Sequence, residues 1–478
     1  LFSQIRCHYI RIALPKGRLF SGTVSLLDEA ELGLEDYKDQ PRLYRLQSSQ
    51  LPYLSAKVFH EKDIPIQVAV GNYDLGICGL DWVEELLVKY PASNLVKVMN
   101  LNYGKGNLYA ATSQHGGISS LSSLLAEKDD WQIVSEYPNL AEAFALNLRL
   151  RRFRIFPVWG SVEAYPPENA DLIIIWKKDE KELKADGLYP LKEVLSTSAV
   201  LVANRRKWET KNMSDILTQI SSAIREIPEP PSPSRVKKTP NISLPEEKNS
   251  VYLALPDGHQ QRLTEEFLSK AGLQVTGYSG ETISRRPIFD LDWVRAKVIR
   301  PQDMPLQVAN GNFDLAITGR DWLLDHLYQF PSSPVVEHVS FSFGEVKIVA
   351  AVSQELSVNN ISELRRLISS GRLSPLRVVS EYVNIAEKYL RDNHLSLYRI
   401  IPTWGASEAF LPEDADLLVE NTQTGETLAR HNLKIIEVLF LSTACLIGNK
   451  AIPRSAVKRD RINSLIDLFR KATGRSRQ

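Results

Sequence analysis

The sequence has little cysteine and little methionine, three of each in 478 residues. Cys7, Cys78 and Cys445 are odd in number and far apart. That excludes a disulfide scaffold and suits a reducing compartment, with each thiol a small buried apolar side chain. The His and Cys residues show no metal-ligand spacing, so no built-in metal centre is expected. No apolar run approaches the roughly 20 residues that a membrane-crossing helix needs. Leu1 to Ile10 contains Gln4, Arg6 and His8 and lacks the apolar core of a signal peptide, which predicts a cytoplasmic chain. An excess of one charge is also missing: 58 Lys and Arg face 57 Asp and Glu, for a net charge of +1. No global field then favours nucleic acid, and any anionic ligand must be held by a local site.

What is present is a long internal repeat. Residues 68–82, VAVGNYDLGICGLDW, return at 308–322 as VANGNFDLAITGRDW, an offset of 240. VSEY at 134–137 recurs at 379–382, and WGSVEAY at 159–165 recurs as WGASEAF at 404–410, both at an offset of 245. LST at 195–197 recurs at 441–443. Kept order and slow drift of the offset mean duplication. Between the copies, residues 226–250 are rich in Pro, Ser and charge and read as an extended linker. At about 3 Å per residue it could span most of a domain, so it leaves the packing of the copies open.

Each copy alternates strand and helix, which predicts parallel or mixed sheets. Strands are expected at Ile10–Leu14, Ala56–Phe59, Asp74–Cys78 and Asp171–Ile175. Helical spacing runs over Leu19–Leu32 and Ser135–Leu150, and amphipathic spacing over Ser214–Ile227 and Arg461–Ala472.

Four motifs carry the chemistry. The first is Leu14-Pro15-Lys16-Gly17-Arg18-Leu19, a turn between strand and helix. A helix start offers free N–H groups to an anion, and Lys16 and Arg18 add charge for a pyrophosphate or triphosphate. An ordinary turn with solvated bases is the alternative. The second is His60 to Pro65 in the first copy and Arg300-Pro301-Gln302-Asp303-Met304-Pro305 in the second, each followed by an Asp-Leu strand and turn. Arg300 has a surface ion pair as its alternative role. The third is Gly160-Ser161-Val162-Glu163-Ala164, matched by Gly405-Ala406-Ser407-Glu408-Ala409. Its glutamate could order ribose hydroxyls or adenine, or serve only a helix dipole. The fourth is Ala415-Asp416-Leu417-Leu418-Val419-Glu420 followed by Thr424-Gly425-Glu426-Thr427-Leu428. Two hydroxyls, a glycine and free N–H groups at a helix start make a phosphate cradle.

In this order the motifs resemble those of the short-form ATP phosphoribosyltransferases, the family that begins histidine biosynthesis. The likeness runs over about residues 10–226 and 250–474. It implies two tandem copies of a two-lobed α/β unit like a periplasmic binding protein, with mixed sheets flanked by helices and a ligand cleft between lobes. The expected divisions are 5–226 (one lobe from 5–102 and 184–226, the other 103–183), a linker at 227–249, and 250–474 (one lobe from 250–341 and 430–474, the other 342–429). The implied reaction joins adenine N1 of ATP to phosphoribosyl pyrophosphate, with Mg²⁺ arriving on the substrate phosphates and pyrophosphate leaving.

Carried over by residue, the resemblance assigns catalysis to Lys16, Arg18 and Glu420. It assigns phosphoribosyl pyrophosphate to Asp416, Glu420, Thr424, Gly425, Glu426, Thr427 and Leu428. ATP or pyrophosphate falls to Lys16, Gly17, Arg18, Arg42, Arg300 and Glu408. It also implies a regulatory subunit resembling histidyl-tRNA synthetase, an internal pseudo-dimer and homo-oligomers, with no nucleic-acid or membrane partner.

The copies depart from the pattern at opposite places. Copy one has Ile175 in place of the terminal carboxylate and Asp179-Glu180-Lys181-Glu182-Leu183 in place of the cradle, where three carboxylates repel phosphate. Copy two opens Leu255-Pro256-Asp257-Gly258-His259-Gln260, with Asp257 and His259 where the cations belong. A working site then needs Lys16, Arg18 or Arg42 to reach the second copy's cleft. A regulatory nucleotide- or phosphosugar-binding paralogue, and a solute-binding module, are the competing readings.

Overall fold

The computed structural model describes residues 9–38, 45–114, 120–121, 129–224, 249–279, 284–373, 375–451 and 455–474. The linker expected at 227–249 lies almost wholly outside the described residues, and so does Arg42.

Each copy forms two mixed sheets. In the first lobe of copy one the spatial order is Arg45–Gln47, Leu54–His60, Ile10–Lys16, Leu75–Gly79, Ala199–Asn204, Leu95–Asn100. Ile10–Lys16 runs parallel to both neighbours, while Ala199–Asn204 runs antiparallel to its own. The second lobe is ordered Leu188–Thr197, Gly106–Ser113, Leu172–Lys177, Asp130–Ser135, Arg152–Pro157. Copy two repeats this as Val294–Ile299, Val251–Pro256, Leu315–Gly319, Ala444–Asn449, Val335–Ser340 and as Tyr398–Pro402, Leu376–Ser380, Leu417–Thr422, Val346–Ser353, Leu433–Ser442.

The expected lobe limits need moving. Leu188–Thr197 pairs antiparallel with Gly106–Ser113, and Leu433–Ser442 with Val346–Ser353. Both strands therefore belong to the second lobe of their copy, and the chain returns to the first lobe only at Ala199 and Ala444. Short polar ends account for smaller shifts. The helix expected from Ser135 begins at Pro138, because proline lacks the N–H needed beyond a first turn. The last helix begins at Ala456, five residues early, because Ser455 caps it by accepting a bond from the Lys458 N–H at 3.3 Å. Asp171 lies just outside its strand, where its carboxylate accepts the Gln132 N–H at 2.8 Å.

The apolar cores explain how the copies pack. Each lobe has an outer core of its own, such as Ile12, Leu26 and Ile216 in the first lobe of copy one. The inner faces are shared. Ala13, Phe59, Ile64 and Tyr73 of the first lobe of copy one form one cluster with Val349, Val379, Phe410 and Leu418 of the second lobe of copy two. The converse pairing joins Tyr109, Phe156 and Ile173 to Ile299, Met304 and Phe313. Every lobe thus rests on a lobe of the other copy.

Polar groups at these two contacts correspond by the repeat offset. Lys57 Nζ, buried, bonds Asp414 Oδ2 at 3.0 Å and Glu413 Oε2 at 3.1 Å, and Tyr73 donates to Asp414 Oδ2 at 2.9 Å. At the other contact Lys297 Nζ bonds Asn169 Oδ1 at 2.6 Å and Glu168 Oε2 at 2.8 Å. Burial and the nearby Arg286 charge push Lys297 down to about 7, against the pull of Glu168.

Candidate functional site

The second copy's cleft opens at the carboxyl ends of its strands, where α/β sheets commonly present ligand sites. It encloses a cavity of about 330 Å³ lined by Asp257, Gly258, His259, Arg300, Trp322, Glu381, Tyr382, Glu420 and Asn421, among others. Strand Val251–Pro256 delivers Asp257 and Gly258, whose φ of +70° turns the chain into helix His259–Lys270. Strand Leu315–Gly319 delivers Asp321, whose carboxylate accepts from Tyr382 Oη at 2.6 Å and Ser442 Oγ at 2.9 Å. Tyr382 is also stacked on Trp322, with ring centroids 4.2 Å apart. These bonds fix the aromatic wall.

Glu420 stands near the end of strand Leu417–Thr422 and accepts from Ser407 Oγ and from the Asn421 N–H, both at 2.9 Å. Burial, then the charge of Glu381, hold its pKa well above the usual carboxylate range. Burial also raises Glu381, to about 7. Beyond the strand, Gly425 at φ +83° starts the five-residue helix Glu426–Arg430, and its N–H donates to Thr422 Oγ1 at 3.0 Å. Thr424, Glu426 and Thr427 are exposed, while Leu428 is buried in the core shared with copy one.

Lys16 of the first copy enters this region. A Cβ at Gly405 would stand 3.6 Å from Lys16 Nζ and 3.5 Å from Glu381 Oε1. Burial lowers the Lys16 pKa, while Glu408, Asp63 and Glu381 oppose the shift. So Lys16 sits among two carboxylates of the other copy.

The first copy's cleft holds a cavity of about 300 Å³. Arg18 remains there. Its Nη2 bonds Asp81 Oδ2 at 2.9 Å and Glu61 Oε2 at 3.1 Å, and its guanidinium lies 4.2 Å from the Trp176 ring. His60 lines the same cavity, pushed down to about 3 by burial and by Lys62, Lys16 and Arg300. Where copy two has the Thr424–Leu428 loop, Asp179 caps helix Glu180–Ala185 by accepting the Glu182 N–H at 2.9 Å. A protein carboxylate already fills the place an anion would take.

Arg300 touches both clefts. It lines both cavities, pairs with Asp257 at 3.3 Å, and its Nε would be 3.1 Å from a Cβ at Gly160. Among the described residues, no group of three or more His, Cys, Asp or Glu is arranged to hold a metal, and no helix is long and apolar enough to cross a membrane.

A family model described as ATP phosphoribosyltransferase matches residues 60–226 and again 300–471. The chain belongs to that family. Among curated relatives, the ATP phosphoribosyltransferase of Prosthecochloris aestuarii is 32% identical over 225 residues, 47% of this chain and 72% of that protein. That of Chlorobaculum parvum is 32% identical over 224 residues, again 47% and 72%. Among solved structures, the ATP phosphoribosyl transferase (HisG:HisZ) complex from Thermotoga maritima aligns at 22% identity and a TM-score of 0.37, covering 47% of this chain and 100% of that one. The periplasmic aliphatic sulphonate binding protein SsuA from Escherichia coli aligns at 17% identity and a TM-score of 0.31, covering 45% and 68%.

The predicted residues of this pentosyl-transferring enzyme family divide between several places. Glu420 and Arg300 line the second cavity, and Lys16 and Glu408 lie beside its Glu381. Thr424, Gly425, Glu426 and Thr427 stand just past the strand that carries Glu420. Gly17, at φ +92°, turns the chain after Lys16. Asp416 is at the far end of that strand, bound to the Arg377 N–H at 2.9 Å and to its guanidinium at 2.8 Å, which fixes strand register. Sequence reading missed Glu381, Asp321 and the Trp322–Tyr382 stack. The repeated VSEY contains Glu381 and Tyr382, and the repeated Asp-Trp contains the other two; recurrence at both offsets was the available signal.

Proposed function

We propose that this member of the family is an ATP phosphoribosyltransferase with one working cleft, in the second copy, completed by Lys16 of the first. The observation that carries the reading is Lys16 beside Gly405, Glu381 and Glu408. The second copy kept the carboxylate and cradle, and its own turn offers Asp257 where a cation is needed. Lys16 supplies a positive charge from across the contact between copies. The two copies then act as an internal pseudo-dimer.

In the reaction, adenine N1 of ATP forms a bond to the anomeric carbon of phosphoribosyl pyrophosphate. The bond from that carbon to the pyrophosphate oxygen breaks, and its electron pair leaves with pyrophosphate. Glu420 accepts the ribose hydroxyls, and Thr424, Gly425, Glu426 and Thr427 hold the 5-phosphate with hydroxyl and N–H groups. Lys16, with Arg300, faces the developing pyrophosphate charge. Catalysis comes from positioning and charge stabilisation. Arg18, committed to Glu61 and Asp81, holds the first cleft together.

The donor chemistry fits Mg²⁺, which takes oxygen ligands and binds through one or two carboxylates plus substrate phosphates. Glu381 and Glu420 are a crowded pair of carboxylates whose repulsion a divalent cation relieves. Mg²⁺ would neutralise pyrophosphate charge. A cytoplasmic location, assembly into oligomers and a regulatory subunit resembling histidyl-tRNA synthetase belong to the same proposal. The family resemblance supports them.

The test is a turnover assay on the full chain with ATP, phosphoribosyl pyrophosphate and Mg²⁺, followed at the product's ultraviolet band. Product formation is expected. No turnover at high enzyme, alone and with a regulatory subunit, would leave the regulatory-paralogue reading in its place.

A further inference from the structure

The first cleft differs from the second by a matched pair of exchanges. Trp176 follows strand position Ile175, and its counterpart at the repeat offset of 245 is Asn421. Across the sheet, Gly106 pairs with Thr197 and Val346 with Ser442, which makes Gly106 and Val346 counterparts. A Cβ on Gly106 would stand 2.5 Å from Trp176 Cζ2, closer than real contacts allow. The glycine is what lets the indole lie where it does. A large residue and its clearance occur together in copy one, and neither occurs in copy two.

The indole lies on Arg18, 4.2 Å from the guanidinium, at an edge of the cavity. Arg18 Nε and Nη1 and Trp176 Nε1 are buried without hydrogen-bond partners. Leaving such donors unpaired is unfavourable, and stacking a guanidinium on an indole offsets only part of that. Around the stack, Lys62 and Arg300 add cations, and Glu61, Glu136 and Glu163 add carboxylates that are engaged with Arg18, Lys62 and Arg285.

We propose that Trp176 is an internal plug: with Gly106 as its clearance, it covers the Arg18 guanidinium, whose Nε and Nη1 donors are buried, and keeps the first cleft from taking pyrophosphate-like ligands. The first copy is then silenced by a side chain seated in its cleft as well as by loss of the cradle. This rests on the reading that the second cleft is the working one, and the two fail in different measurements.

The experiment uses the full chain carrying Gly425→Asp and Lys16→Ala, which close the second cleft's cradle and remove its pyrophosphate-facing lysine, and titrates inorganic pyrophosphate by calorimetry. That background should bind no pyrophosphate with appreciable heat. Adding Trp176→Ala should create one site per chain, tightened at least ~10-fold over the background. Gly106→Val, which displaces the indole while keeping every polar group, should also create the site and shift tryptophan emission to the red. Tight binding in the background carrying both Gly425→Asp and Lys16→Ala, with Trp176 in place, would overturn the plug. So would failure of both added variants to gain a site while thermal melting shows them folded. Failure of the one-cleft reading shows up elsewhere, as phosphoribosyl pyrophosphate binding that survives Gly425→Asp.

Discussion

Trp159 meets Trp404 with their ring centroids 6.1 Å apart. The two are the same residue of the repeat, 245 positions apart. Equivalent residues meet each other only on a twofold axis, so this contact marks the local axis relating the second lobes. Each tryptophan precedes the glycine turn, Gly160 or Gly405, on which a residue of the other copy rests: Arg300 on one, Lys16 on the other.

Lys57→Met should destabilise the chain by about 3 kcal/mol, because Asp414 would remain buried with only the Tyr73 hydroxyl and Arg11, 3.9 Å away, to hold its charge. The double variant Lys57→Met with Asp414→Leu should recover much of this. Urea denaturation of the parent and the two variants decides it. A single-variant loss below about 1 kcal/mol would mean that the contact is solvated.

Glu168 gives the contact between copies an acid limit. Burial alone would raise its pKa, but Lys297 and Arg286 hold it down to about 2. A carboxylate lowered on folding stabilises above its unfolded value near 4.5 and loses that contribution as pH falls toward 2. Glu168→Gln should cost up to about 3 kcal/mol in the pH range above about 4.5 where Lys297 is still protonated, and the difference from the parent should shrink as pH falls through about 2. Parallel stability curves for the variant and the parent between these pH values would count against it.

Thr427→Ala combined with Gly425→Asp should abolish phosphoribosyl pyrophosphate binding in a calorimetric titration. Aspartate at the start of helix Glu426–Arg430 puts a carboxylate against the arriving phosphate. Substituting Asp179 or Glu180 should leave the affinity unchanged, since they lie in the other copy's loop. Unchanged binding in the double variant would remove the cradle from the site.

Lys16→Ala should lower kcat/KM roughly 10²-fold, in the range found for removing one group that stabilises developing charge. Lys16→Arg should restore only part. The loss should fall mainly on kcat, because the leaving charge is largest in the transition state. A change confined to stability, with kinetics intact, would reduce Lys16 to an ion-pair partner of Glu408 and Glu381.

Much of this was legible in the sequence, for reasons that differ by residue. The repeat and the alternation of strand and helix are local patterns, and they led to the mixed sheets and the paired clefts. Glu420 and Gly425 could be singled out because they lie in one short segment, and Glu420 lines the second cavity. Glu381 and Asp321 were not singled out, because their use depends on strands far apart in the chain converging at one end of the cleft. The lobe limits slipped for a related reason. Leu188–Thr197 and Ala199–Asn204 are both β-rich and nearly contiguous, and only pairing assigns them to different sheets. The sequence named Lys16, Arg18 and Arg42 as candidates to reach the second copy's cleft, but which of Lys16 and Arg18 does so was beyond it. They are two residues apart, yet one faces the other copy and one its own cleft, as alternation around a turn dictates only once both copies are docked.

The exchange of lobes between copies also has a consequence for heredity. In an ordinary homodimer one gene writes both sites, so a tryptophan placed beside one cleft is placed beside the other. Here Trp176 and Asn421 are separate codons, and Gly106 and Val346 likewise. Each cleft can then carry changes that the other lacks, so long as Phe59 still meets Phe410 and Lys57 still meets Asp414. Joining the pair in one chain turned a symmetric assembly into two positions on which selection acts independently.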